Sequence, residues 1–153
     1  MARRATAATV MEWTARIVLA GVFLYAGGVK ALDPAGFATA IDHYRILPYP
    51  AAAACADYLP WLELICGLGV FWRRIRPGAV AVLFGLDLVF SAAIASAWVR
   101  GLDISCGCFG ADEAGRFPLV LSLARSVSLA LLCAWLLWRE KRRQPWPHEI
   151  PGR

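Results

Sequence analysis

A chain of 153 residues is long enough for one domain, but 59% apolar and 18% charged residues, with a mean hydropathy of +0.55, exclude an ordinary soluble domain, which carries about 25% charged residues. The net charge of +5 does not form a nucleic-acid-binding stripe, because the basic residues sit in short clusters flanking apolar runs, the pattern of membrane topology signals. Five scattered cysteines are too few for a disulfide-rich scaffold, and no repeat of 20–50 residues is present.

The sequence predicts an all-α fold: a bundle of four transmembrane helices with a short amphipathic helix after the first span, in a single domain over residues 1–153. Runs near 20 residues match a hydrocarbon core of about 30 Å at 1.5 Å per helical residue. The first span covers about 10–29. Arg3 and Arg4 fit the start of a signal peptide, but Glu12 and Arg16 interrupt the early apolar region, and no A-x-A site precedes a polar start. The run is therefore read as a retained span. Asp33-Pro34 reads as a helix start, with Asp as N-cap and Pro in the first turn. Phe37, Ile41 and Tyr44 share one face of the helix that follows, expected over Pro34–Leu47 at the membrane surface and ended by Pro48 and Pro50.

The second span covers about 51–72 and contains Pro60 and Glu63. Arg73, Arg74 and Arg76 form a basic turn. The third span, about 77–99, carries Asp87 near its middle. A polar loop with Cys106-Gly107-Cys108-Phe109-Gly110 leads to the fourth span, about 118–138, with Arg125 inside it, and to a basic tail over 139–153. Trp61, Trp72, Trp98, Trp135 and Trp138 fall at or near span ends, as aromatic belts do.

Basic residues orient the bundle. One side would hold Arg3, Arg4, Arg73, Arg74, Arg76, Arg139, Lys141, Arg142, Arg143 and Arg153; the other Lys30, Arg45, Arg100 and Arg116. Ten against four predicts both termini in the cytoplasm and the cysteine loop outside, in a bacterium the oxidising periplasm beyond the inner membrane.

The strongest local signal is the Cys106, Cys108 pair. A disulfide between thiols one residue apart closes a small, strained ring, and strained exposed disulfides are labile and oxidising, which suits exchange. Gly107 and Gly110 supply the backbone freedom. A structural bridge to another cysteine and a partial metal site stay open beside this reading. A metal centre needs three or four ligands, and only His43 and Cys55 are candidates to join the pair, so no metal site is assigned. Cys55, near the outer end of its span, is either a resolving thiol or a small packing residue. Cys66 and Cys133 read as packing residues.

Ionisable residues at membrane depth are costly and are paired or functional. Glu12 and Arg16, four apart with the acid first, suit a structural ion pair. Arg125 lies roughly 10 Å into its span and Glu63 roughly 12 Å below Cys55, so the two are expected to meet, as a structural pair or as a proton or charge relay beneath the loop. Asp87 is expected to pair with Arg16 or Arg125.

The chain resembles the methylamine-utilisation MauE family, within the wider DoxX-like membrane proteins. The resemblance runs from about Arg16 to Arg125. It takes in Arg16 with Gly21, Tyr25-Ala26-Gly27-Gly28-Val29-Lys30, Asp33-Pro34 and Phe37. It continues through Tyr44-Arg45-Ile46-Leu47-Pro48, Leu59-Pro60-Trp61-Leu62-Glu63, Gly67 and Phe90, and closes with the Cys106–Gly110 signature and Arg125. The resemblance implies a four-helix membrane protein that helps mature a periplasmic enzyme. In the MauE group the client is the disulfide-rich small subunit of methylamine dehydrogenase, and a thioredoxin-like partner accompanies it. The DoxX side implies coupling to a quinone, the candidate electron acceptor; no haem or flavin motif is recognisable. The expected function is thiol–disulfide exchange by Cys106 and Cys108 in support of an exported protein, with the lipid bilayer, a periplasmic thioredoxin-like protein and an exported client as partners. A non-enzymatic scaffold or anchor, and a small transporter lined by Glu63, Asp87 and Arg125, are the alternatives.

Overall fold

The computed structural model describes residues 2–101 and 116–143, with side chains over 9–101 and 120–142. The described residues form five helices: α1 (Ala2–Leu32), α2 (Pro34–His43), α3 (Tyr49–Gly69), α4 (Arg76–Val99) and α5 (Arg116–Arg143). Four contain stretches long and apolar enough to cross a membrane: Thr9–Leu32, Tyr49–Gly69, Arg76–Val99 and Val120–Arg142. In hydrocarbon every backbone N–H and C=O must be satisfied within the protein, so these runs can only be helical.

The spanning helices pack as two principal pairs, α1 with α3 and α4 with α5. Between helices in lipid there is no hydrophobic driving force, so close packing carries the association. Gly27 shows how close. A Cβ there would lie 3.0 Å from the Pro60 carbonyl oxygen and 3.2 Å from the Glu63 Cβ. The largest buried cluster takes residues from all four spans: Leu19 and Phe23 (α1), Cys66 (α3), Leu83 (α4), and Cys133 and Leu136 (α5).

The first connection differs from the expectation in extent and in the role of its prolines. Asp33 does cap α2, its Oδ1 accepting from the Gly36 N–H at 2.9 Å. But α2 ends at His43, because Arg45 adopts a left-handed φ of 49°. Pro48 and Pro50 do not end α2; Pro48 is the N-cap of α3 and Pro50 sits in its first turn, where a missing N–H costs nothing. The face of Phe37, Ile41 and Tyr44 is turned onto the bundle. Phe37 packs near Ala56 and Phe90, and Tyr44 against Ile94 and Ala97. The Tyr44 carbonyl accepts from Arg100 Nη1 at 2.9 Å, tying the end of α2 to the end of α4.

Other boundaries move outward or inward by a few residues. α1 continues to Leu32, which places Lys30 inside the helix. α3 stops at Gly69, before Trp72, and α5 continues to Arg143, which brings Glu140 into the bundle.

A charged centre shared by four helices

One face of α1 carries Glu12, Arg16, Leu19, Phe23, Ala26 and Lys30, at alternating spacings of four and three, and all six are buried. This stripe is the helical period applied to polar and apolar residues alike. It presents Lys30 to Glu63 of α3. Lys30 Nζ lies 2.6 Å from Glu63 Oε1, with the two side chains 3% and 1% exposed. The ammonium also sits 4.6 Å from the Phe90 ring centroid and 5.0 Å from that of Phe37, over aromatic faces that attract a cation.

This corrects the expected pairing of Glu63 with Arg125. Glu63 accepts from Lys30, whereas Arg125 lines the same cavity beside Asp87. α1 continues three residues past the expected end, to Leu32, so Lys30 keeps the helical register that turns it towards Glu63. The reading of Lys30 as an outer flanking residue fails for the same reason. Asp87 is held by α5: its Oδ1 accepts from Ser126 Oγ at 2.7 Å, and Ser91 Oγ donates to Ser126 Oγ at 2.8 Å. Of the two partners expected for Asp87, Arg125 is the one that lines the same cavity; Arg16 faces Glu12 and Glu140 instead.

All these groups meet at one place. Lys30, Glu63, Asp87, Arg125 and Ser126 line a cavity of about 40 Å³, walled by Phe23, Ala26, Phe90 and Leu129. Two cationic and two anionic side chains make the centre formally neutral, the condition under which charge is tolerated at membrane depth.

A second charged group closes the far end of the bundle. The expected Glu12–Arg16 pair is present at 3.4 Å, and Glu140 joins it, 4.0 Å from Arg16 and 3.7 Å from Arg76. Arg76 Nε also donates to the Val70 carbonyl at 2.9 Å. Arg76, Glu140 and Lys30 were not expected as ion-pair partners, because all three stand just outside the expected spans. The 4-3 spacing from Glu12 to Lys30 was the signal that could have revealed Lys30.

Cys55 lies half-buried on α3, and Cys66 and Cys133 are buried; among the described residues none of the three is bonded to another cysteine. Cys66 and Cys133 sit in the main core cluster, as packing residues do. Cys106 and Cys108 lie outside the described residues, as does any approach of Cys55 to them.

The fold and this centre define a multi-pass helical membrane protein whose four spans converge on a neutral cluster of buried charges. The chain belongs to the MauE family: the family model described as "Methylamine utilisation protein MauE" matches residues 8–139. The chain is 33% identical over 125 residues to the methylamine utilization protein MauE of Paracoccus denitrificans, covering 80% of this chain and 67% of that protein. It is 31% identical over 131 residues to the Paracoccus versutus protein of the same name (84% and 70%). To the Methylophilus methylotrophus protein it is 35% identical over 93 residues (58% and 49%). The chain thus spans between about half and 70% of the length of these relatives. No solved structure matches it.

Proposed function

We propose that this chain is an accessory protein of the bacterial inner membrane, of the methylamine-utilisation type, that supports thiol–disulfide exchange during maturation of an exported enzyme. Cys106 and Cys108 are the exchange pair in this reading. The family's resemblance names the enzyme class, the small subunit of methylamine dehydrogenase, and a periplasmic thioredoxin-like protein as the companion. Oxidising a client dithiol would pass two electrons and two protons to the Cys106–Cys108 disulfide. A quinone taking both would leave as quinol. A cavity that holds benzene is about 150 Å³, so the central cavity of about 40 Å³ does not admit a quinone ring, and a quinone would meet the protein elsewhere.

The observation that carries the reading is the charged centre itself. Five polar side chains from four helices converge on one cavity, in the part of the bundle towards the ends of α2 and α4. From there the chain leaves for the Cys106–Cys108 segment. Glu63 and Arg125 keep their role as a relay or as frame for the loop, with Lys30 added as the direct partner of Glu63. The topology has the termini in the cytoplasm. Burial of Lys30 strengthens it, since the outer side then counts Arg45, Arg100 and Arg116 alone.

Thiol trapping in intact cells tests this. A membrane-impermeant alkylating reagent should label Cys106 and Cys108 only after mild reduction. Full client maturation in the Cys106→Ser, Cys108→Ser double variant would overturn exchange. A scaffold reading is favoured by one observation, the tight Lys30–Glu63 pair seated on two aromatic rings, which locks α1 to α3. Under that reading maturation survives conditions that stop redox cycling.

A further inference from the structure

Two carboxylates face the central cavity from opposite helix pairs, and each is only half satisfied. Glu63 Oε1 accepts from Lys30 at 2.6 Å and Asp87 Oδ1 from Ser126 at 2.7 Å. The second oxygens, Glu63 Oε2 and Asp87 Oδ2, are buried, and no donor among the described residues reaches either. Leaving a buried acceptor unmet costs about 1–3 kcal/mol, more for a charged one. Two such losses on one small cavity are better explained by a donor common to both. The cavity fits that donor. A water needs about 10–15 Å³ and two to four polar partners; here there are about 40 Å³, bordered by Lys30, Glu63, Asp87, Arg125 and Ser126.

We propose that this cavity is a hydration site, in which bound water, one molecule or a short chain, donates to Glu63 Oε2 at one end and Asp87 Oδ2 at the other. The polar groups then form one continuous path: Lys30 and Glu63 on the α1–α3 side, water, then Asp87, Ser126 and Ser91 on the α4–α5 side. A proton on Glu63 passes to water oxygen as the water gives another proton to Asp87; one proton moves and the water is restored. Asp87 thereby becomes a positioning and proton-accepting partner of the relay. That last step rests on the exchange reading above; the hydration does not.

The test is radiolytic hydroxyl-radical labelling of the full chain in lipid nanodiscs, in which buried side chains beside bound water are oxidised and dry ones are spared. Phe23 is 5% exposed and lines the cavity, whereas Phe84 is less buried and does not line it. Phe23 should nonetheless label several-fold faster than Phe84, and Ala26→Leu, which fills the cavity, should bring the two rates together. Equal labelling in the wild-type chain overturns the proposal. So does fast labelling of Phe23 that Ala26→Leu leaves unchanged, because water then reaches it by another route. If Ala26→Leu does not fold, Ala26→Val takes its place. The Cys106→Ser, Cys108→Ser variant should label as the wild type does, so a failure of thiol exchange and a failure of hydration read out separately.

Discussion

Lys30→Met is expected to be among the most destabilising single substitutions in the chain, and most of its cost should disappear when Glu63 is replaced as well. The pair is 3% and 1% exposed at 2.6 Å, so an orphaned carboxylate would be cut off from bulk solvent. Removing one partner of such a pair costs about 3–5 kcal/mol, whereas an exposed pair is worth at most about 1 kcal/mol. The aromatic contacts with Phe90 and Phe37 add up to about 2 kcal/mol where the cation is desolvated. In the Lys30→Met, Glu63→Leu double variant no uncompensated charge remains, and replacing a buried pair by apolar residues of similar volume is often neutral. The double variant should therefore be markedly more stable than Lys30→Met alone. Reversible unfolding in mixed detergent micelles, for the wild type, both single variants and the double, gives the coupling energy directly. A cost below about 1 kcal/mol for Lys30→Met, the range of an exposed pair, or simple additivity of the two single changes, would refute the reasoning.

The same packing sets other measurable outcomes. Gly27→Leu should separate α1 from α3 and cost about 1–3 kcal/mol by overpacking, since even a Cβ there meets the Pro60 carbonyl oxygen at 3.0 Å. Gly21→Ala faces open space and should stay within about 0.5 kcal/mol, both read by the same unfolding assay. Arg16→Ala should cost more than Glu140→Ala, because Arg16 and Glu12 side chains are 6% and 3% exposed while that of Glu140 is 18% exposed; thermal unfolding of the two variants orders them. Cys55, half-buried, should react with a membrane-permeant maleimide well before Cys133, which is 0% exposed, as peptide mass spectrometry of partly labelled protein can show.

The spans were legible because length and apolarity alone fix them: four runs near 20 residues have no other stable conformation in lipid. The Asp33 cap and the Glu12–Arg16 pair were legible because both are local, set by spacings of three and four residues. Glu63, Asp87 and Arg125 stood out as charges inside apolar runs. Their partners did not, because pairing is tertiary. Lys30 sits at a helix end, where a lysine normally snorkels to the interface, and nothing local distinguishes that from burial against α3. The end of α2 was misplaced for a related reason. Prolines mark a boundary without saying which element owns it, and here they open α3 instead of closing α2.

The charges also explain why the bundle has one register. Arg16 and Lys30 are 14 residues apart on α1, and Ser126 and Glu140 are 14 apart on α5; at 1.5 Å per residue each separation is roughly 21 Å along its helix. Fourteen residues make nearly four full turns, so each pair shares a face. One member of each pair meets the central layer, with Lys30, Glu63, Asp87 and Arg125. The other meets the end layer, with Glu12, Arg16, Arg76 and Glu140. Each layer holds two positive and two negative side chains. Sliding α5 by one turn against α1, about 5.4 Å, would pull Glu140 from Arg16 while moving Ser126 and Arg125 away from the cavity shared with Lys30. Both layers would then expose unbalanced charge at once. Apolar packing in lipid discriminates poorly between such slips, because lipid replaces a lost methyl contact at little cost. Buried charge has no such substitute, so the two neutral layers select the register that apolar packing alone would leave degenerate.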